Sequence, residues 1–137
     1  MSFLLDTNVL SETRKRLPHQ NVITWLQQRD QTELYISVLT LGELAKGIAR
    51  RRKTDQPAAV NLTHWLDGIE LLFSDRLIPI DPAIARVWGE LNADRNLAVI
   101  DSLLAATAKV HGLTLVTRNV KDIETTGVKY LNPWDQA

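Results

Sequence analysis

Short, nearly unbroken apolar runs alternate with longer helical patterns along this chain, and that alternation restricts the fold more than any other feature. Because the runs lack the period of two that marks a half-exposed strand, they predict strands buried on both faces. Strands are predicted at Ser2–Asp6, Leu34–Ser37, Leu77–Ile80, Leu113–Thr117 and Val128–Leu131. Helices are predicted at Asn21–Arg29, Thr40–Lys53, Ala58–Phe73, Pro82–Asp94 and Ile100–His111. Such an order predicts an α/β fold in which a parallel sheet is flanked by helices on both sides.

The composition fits one domain of ordinary size. The 137 residues are 45% apolar and 23% charged, which excludes disordered and fibrous classes. The chain has no cysteine, so disulfides, thiolate metal sites and cysteine nucleophiles are excluded. No apolar run approaches the roughly 18 to 20 residues of a spanning helix. We therefore expect a single domain over residues 1–137 in a cytoplasmic protein without membrane association.

Charge is balanced overall but unevenly distributed. The formal net charge is +0, yet residues 44–56 hold five cations against one anion, while residues 57–137 hold ten acids against seven bases. The five cations are Lys46, Arg50, Arg51, Arg52 and Lys53. This basic strip is equally well interpreted as a contact surface for an RNA backbone or as a solvated helix end favoured by the helix dipole. Arg86 interrupts an apolar pattern and is a weaker candidate for RNA contact.

Acidic and polar side chains follow two of the predicted strands. Asp6, Thr7 and Asn8 come after the first strand, and residues 117–119 with Asp122 come after the fourth. The carboxyl ends of parallel strands meet at one edge of a sheet, where ligands of α/β proteins bind. Two structural alternatives are open, namely Asp6 as the N-cap of a following helix and residues 117–122 as a turn.

Asp101 heads an apolar helical stripe. Leu104, Ala105 and Ala108 share its face, so this carboxylate is expected to point towards the sheet. A first-turn acid favoured by the helix dipole would explain its position in the sequence but not its inward direction.

Glu43 is ambiguous by pattern alone. Its helix is expected to bury Leu41, Leu44, Ala45 and Ile48, which places Glu43 on the opposite side with Lys46 and Arg50. A solvated ion pair is therefore the favoured interpretation from periodicity.

Convergence of Asp6, Glu43, Asp101 and Asp122 would require bound protons or a cation, because like charges cannot all remain ionised in a poorly solvated cleft. Hard oxygen ligands without cysteine favour Mg²⁺ or Mn²⁺ over zinc. Such an ion activates water for attack on phosphorus, so phosphodiester hydrolysis is the reaction that this set predicts.

Five segments together carry a family pattern: residues 3–8 (FLLDTN), 37–44 (SVLTLGEL), 100–108 (IDSLLAATA), 115–122 (LVTRNVKD) and 131–134 (LNPW). In this order and spacing the chain resembles the PIN-domain family, specifically the VapC and FitB-like toxins of bacterial toxin-antitoxin pairs. Residues 94–99 depart from the Gly- or Pro-containing loop expected before the third acid.

The resemblance implies a five-stranded parallel sheet and a magnesium-dependent endoribonuclease, with Mn²⁺ as a substitute ion. It assigns catalysis to Asp6, Glu43, Asp101 and Asp122, and the metal to Asp6 and Asp101. The supporting polar residues that it implies are Thr7, Asn8, Thr117 and Asn119.

The resemblance also implies partners and a biological role. Relatives are commonly homodimers that are silenced by a cognate antitoxin, and they bind promoter DNA through that antitoxin. Their cleavage of RNA, often transfer RNA, inhibits translation and growth. The alternative is a non-catalytic binding module whose acidic cleft holds an antitoxin in a DNA-binding complex.

Overall fold

The structure is a computed structural model that describes residues 1–135. Five strands form one parallel sheet in the order β3-β2-β1-β4-β5. They are β1 (Phe3–Leu5), β2 (Leu34–Ser37), β3 (Leu77–Ile78), β4 (Thr114–Val116) and β5 (Tyr130–Leu131). All five lie within the predicted runs, and four of them are shorter than predicted. From β1 the sheet extends through β2 and β3 on one side and through β4 and β5 on the other. In parallel sheets a ligand-binding crevice forms where the strand order changes direction, which here is beyond the carboxyl ends of β1 and β4.

Seven α-helices occur within residues 1–135. They are α1 (Thr7–Thr13), α2 (Gln20–Gln27), α3 (Val38–Arg52), α4 (Gln56–Leu72), α5 (Pro82–Leu91), α6 (Val99–His111) and α7 (Val120–Ile123). Short 3-10 turns lie at Gln31–Glu33, Glu124–Thr126 and Pro133–Asp135. The five predicted helices are confirmed. Helix α1 is not among the predicted helices, although the alternative of Asp6 as an N-cap implies a helix that begins at this point. Helix α7 occupies part of the segment for which a turn is the predicted alternative.

Local signals explain where several helices begin and end. Asp81 caps α5 by accepting a hydrogen bond from the Ile84 backbone N–H at 2.9 Å, and Pro82 occupies the first turn. Gly112 ends α6 in the left-handed conformation, with φ of 64°, which a residue without Cβ adopts without strain.

The core lies on both faces of the sheet. In β1, Phe3 and Leu5 pack with α1 to α4, whereas Leu4 packs with α5 and α6 on the other face. All three side chains are buried, as the unbroken apolar run predicts. The predicted α/β class with helices on both sides is therefore confirmed.

None of the helices within residues 1–135 combines the length and apolar character needed to cross a bilayer.

Candidate active site

Asp6 lies at the carboxyl edge of the sheet, between β1 and β4. Its backbone N–H donates to the Val116 carbonyl at 2.9 Å, and the Thr117 hydroxyl donates to Asp6 Oδ2 at 2.6 Å. The Thr7 backbone N–H donates to Asp6 Oδ1 at 2.6 Å, so Asp6 is also the N-cap of α1. The capping alternative is thus correct and accompanies the predicted position at the sheet edge. Both carboxylate oxygens are fixed by donors from separate elements.

Burial changes the proton affinity of this carboxylate. Asp6 is only 5% exposed, and loss of water raises its pKa above the ordinary value. Hydrogen bonds from Thr117 and Thr7 act in the opposite direction, while the negative charge of Glu43 raises the pKa further. A cation beside Asp6 would therefore replace the missing solvation of its charged form.

The Thr117 hydroxyl should prove essential for holding Asp6. In Thr117→Val, Asp6 Oδ2 keeps its burial but loses its donor, so we expect a loss of about 1.5 to 3 kcal/mol in the free energy of unfolding. Urea denaturation measures the change, and Thr117→Ser, which keeps the hydroxyl, should be closer to wild type. A loss in Thr117→Ser with none in Thr117→Val would show that the methyl packing matters and the hydrogen bond does not.

Glu43 joins the same edge from α3, which follows β2. The Thr7 hydroxyl donates to Glu43 Oε1 at 2.6 Å, so α1 and α3 meet through this bond. None of the ion pairs within residues 1–135 involves Glu43, and the ion pair favoured by periodicity is therefore wrong. Ala45 is exposed, which also corrects the expected apolar face of α3. Periodicity correctly predicted that Glu43 lies on the side of α3 that faces away from the apolar core. It could not show that α1 packs against that side.

Asp101 approaches the cluster from the first turn of α6, and the predicted stripe of Leu104, Ala105 and Ala108 is buried. Partial burial is the largest cause that raises the pKa of Asp101 to about 6. The negative charges of Asp6, Asp122 and Glu43 add to the shift in that order. Asp122, in α7, is exposed and stands at the outer side of the group. The four predicted acids therefore lie close enough together at this edge of the sheet for their charges to interact.

This raised pKa predicts how stability depends on pH without metal. Asp101 titrates at 3.8 in the unfolded chain and at about 6 in the folded one. Between these values the folded state binds more protons, so the free energy of unfolding falls as pH rises. Relative to wild type, Asp101→Asn should gain about 1 to 2 kcal/mol between pH 4 and 7, after allowance for solvent screening. Urea denaturation in chelator measures the difference, which a constant offset across pH would contradict.

A cavity of about 340 Å³ opens over the acids. Three of the four predicted acids line it, together with Thr7, Asn8 and Asn119 from the predicted supporting residues. Thr117 lies beneath it, where its hydroxyl also accepts the Asn119 N–H at 3.0 Å. Three other lining residues, Ser11, Glu12 and Lys15, are absent from the sequence predictions, and two more, Arg118 and Trp134, appear there only within the family segments. Polar residues at positions 8, 11, 12 and 15 recur at helical spacing, and this pattern predicts a helix at the position of α1.

The donor chemistry of the cavity fits a hard cation. Within residues 1–135 no three acidic or histidine side chains are close enough to ligate one ion together. Mg²⁺ usually takes one or two carboxylates and completes its shell with water and substrate oxygens, so Asp6 and Asp101 suffice. Asn8 adds a buried amide oxygen, Oδ1, that accepts no hydrogen bond. An unsatisfied oxygen among acids with raised pKa values suits a cation better than an anion.

The basic strip is only partly near the acids. Arg50 and Arg51 line a neighbouring groove of about 480 Å³ that shares Thr7 and Glu43 with the acidic edge, and Arg51 pairs with Asp55 at 3.5 Å. Arg52, Lys53 and Arg86 are exposed and line neither cavity. Lys46 lines a further groove with Thr7 and Glu43, so three of the five cations lie beside the site and the other two lie at the helix end.

The sequence matches the model of the PIN domain over residues 3–127. Toxin FitB of Neisseria gonorrhoeae is 32% identical, over 96% of this chain and 97% of that protein. VapC ribonuclease Y4jK of Sinorhizobium fredii is 31% identical, over 98% of this chain and 99% of that protein.

A solved structure has the same fold. The structure of FitAB bound to an IR36 DNA fragment superposes with a TM-score of 0.90 at 29% identity, covering 98% of this chain and 97% of that chain. The family match spans most of the sequence and includes the segments that carry Asp6, Glu43, Asp101 and Asp122. From its sequence match and its sheet order, the chain belongs to the PIN domain family.

Proposed function

We propose that this protein is a metal-dependent endoribonuclease that acts as the toxin of a toxin-antitoxin pair. The observation that carries the proposal is the convergence of four acids at the carboxyl edge of β1 and β4, with the pKa values of Asp6 and Asp101 both raised. Relatives that cover nearly the whole chain bear the names toxin and ribonuclease.

Each acid has a separate part in the proposed site. Asp6 and Asp101 hold Mg²⁺, or Mn²⁺ as a substitute, and Asn8 Oδ1 lies in the same cavity as a further oxygen donor. When bound, the ion supplies Lewis acidity and a water of lowered pKa for phosphodiester hydrolysis. Glu43, held by the Thr7 hydroxyl, and Asp122 at the rim flank the place where the phosphate enters.

The fixed geometry of these acids is what the fold contributes. Thr117 and the start of α1 orient Asp6 before any ligand arrives, so its reorganisation on binding is small. Arg50 and Arg51 extend the site along the neighbouring groove, where the polyanionic backbone of RNA is their expected ligand.

Incubation of the purified chain with RNA tests the proposal directly. We expect cleavage in Mg²⁺ or Mn²⁺, none in chelator, and recovery when excess metal is restored. Mapping of RNA ends in cells after a pulse of expression then identifies the substrate, and transfer RNA is the one that we propose. Absence of cleavage under every metal condition would contradict the nuclease and favour the binding module with an acidic cleft.

An antitoxin is the proposed regulatory partner. The acidic cavity suits a basic side chain from a partner, because a buried carboxylate cluster gains most from a cation that displaces its water. We propose that the toxin assembles as a homodimer and reaches promoter DNA only through the antitoxin, a role that the DNA-bound FitAB structure supports.

A double variant that neutralises two of the acids, Glu43→Gln with Asp122→Asn, should weaken the binding of an antitoxin tail that carries arginine. Calorimetry measures the change in affinity. An unchanged affinity would place the contact elsewhere.

A further inference from the structure

Glu12 is a buried charged residue that the proposed metal site does not use. Its side chain is only 5% exposed, and it lies in α1 on the wall of the acidic cavity. Glu12 forms an ion pair with Lys15 Nζ at 2.9 Å and accepts the His19 backbone N–H at 2.8 Å. These contacts, with a smaller effect from the charge of Arg118, lower its pKa below the ordinary value. Glu12 therefore stays ionised in spite of its burial.

Two cations accompany this carboxylate on the same wall. Lys15 and Arg118 both line the cavity that contains Asp6 and Asp101, although they come from different segments of the chain. Lys15 has 57% of its side chain exposed, and the Arg118 guanidinium lies 5.1 Å from the ring centre of Trp134. Within residues 1–135 Arg118 forms no ion pair. Lys15, Arg118 and Glu12 thus give one part of the cavity two cations and one anion, a net positive charge in the same cavity as the proposed catalytic acids.

We propose that Lys15 and Arg118 bind a backbone phosphate of the RNA next to the scissile one, and that Glu12 positions Lys15. The inference rests on the proposed ribonuclease function. Phosphates that approach the acids are repelled, and cations on the adjoining wall offset that repulsion where the strand must pass. Trp134 supports the guanidinium plane, while Glu12 restrains the flexible lysine, so both donors are oriented before RNA binds.

The salt dependence of RNA binding tests the phosphate contacts. Binding of a short labelled single-stranded RNA is measured by fluorescence anisotropy in chelator, so that no cleavage occurs. Each phosphate contact to single-stranded RNA contributes roughly 0.7 to the slope of log affinity against log salt. We expect the double variant with Lys15→Gln and Arg118→Gln, which removes the one proposed phosphate contact, to lower the slope by about 0.7, and each single variant to lower it by part of that amount.

Matched controls remove the same charge elsewhere. Arg16→Gln changes an exposed cation one residue after Lys15, and Lys129→Gln changes an exposed cation before β5, and neither residue lines the cavity. Both should keep the wild-type slope. A slope that falls equally in the controls and the test variants would overturn the pair, because it would report overall charge only.

Glu12→Gln tests the positioning role. Glutamine keeps an oxygen acceptor for the His19 N–H but loses the charge that holds Lys15. We expect kcat to fall about tenfold or more through misplacement of the phosphate, without a rise in KM, because the wall becomes more positive. A merely structural role would lower the melting temperature and leave kcat unchanged below it, and that result would overturn the positioning role.

The outcomes separate this inference from the ribonuclease proposal. Wild-type protein that cleaves RNA, with unchanged salt slopes in Lys15→Gln and Arg118→Gln, would overturn the phosphate pair alone. Variants that lose affinity for an antitoxin but not for RNA would also overturn it, by assigning the wall to a protein partner. Wild-type protein that neither binds nor cleaves RNA would overturn both.

Discussion

Asp101→Asn is expected to abolish RNA cleavage while leaving the fold intact. The substitution keeps the size of the side chain but removes one of the two carboxylates proposed to hold the metal. Loss of residues that merely support a metal ligand typically costs 10- to 100-fold, so loss of a ligand itself should lower kcat by at least about 100-fold. Circular dichroism monitors the fold, and the rate is measured under single-turnover conditions in saturating Mn²⁺.

Substitution of Asp101 tests the metal site more specifically than substitution of Asp6, because Asp6 also caps α1 and accepts the Thr117 hydrogen bond. Asp67→Asn is the matched control, since it removes an exposed carboxylate from α4 outside the acidic cavity. It should cleave at the wild-type rate. A folded Asp101→Asn protein with near wild-type activity would remove Asp101 from the catalytic set.

Mn²⁺ should raise the melting temperature of the wild-type protein by roughly 10 °C. An ion that binds only the folded state stabilises it by RT ln(1 + [L]/Kd), which is about 2.7 kcal/mol at a hundredfold excess over Kd. For a domain of this size each kcal/mol shifts the melting temperature by about 3 to 5 °C. Burial is the largest cause of the raised pKa values of Asp6 and Asp101, and the charges of neighbouring acids add to it, so a bound ion would offset both the lost solvation and the repulsion.

The same melting curves on Asp101→Asn locate the ion. Without metal at pH 7 the variant should be more stable than wild type by about 1 to 2 kcal/mol, because a half-buried repelling charge is gone. With Mn²⁺ its shift should be almost erased, whereas Asp67→Asn should show the full shift. Equal shifts in wild type and Asp101→Asn would mean that the ion binds away from this cluster.

Features that depend on local sequence were predicted well. The five strands and five of the helices follow from apolar runs and helical periodicity, which the burial of β1 and of the α6 stripe confirms. The start of α5 at Asp81 and Pro82 and the end of α6 at Gly112 also follow from local chemistry. The ion pair expected for Glu43 failed, because it required knowledge of which helix packs against α3.

The short helices mark the limit of local prediction. Helix α1 has seven residues and α7 has four, and helices this short form only when tertiary contacts stabilise them. Their side chains nevertheless complete the site: α1 supplies Asn8 and Glu12, and α7 supplies Asp122. Position in the sequence could not show that Glu12 is buried, since its burial depends on Lys15 and the backbone of His19.

The sequence by itself determined the fold class and the edge of the sheet at which the acids gather. Both depend on the order of apolar runs and on which residues follow them, and these are properties of neighbours along the chain. Only the tertiary structure decided the long-range partners of the acids, which are Thr117 for Asp6 and Thr7 for Glu43. Desolvation and the hydrogen bond from Thr117 act on the pKa of Asp6, and both depend on distances that arise only when the helices pack on the sheet.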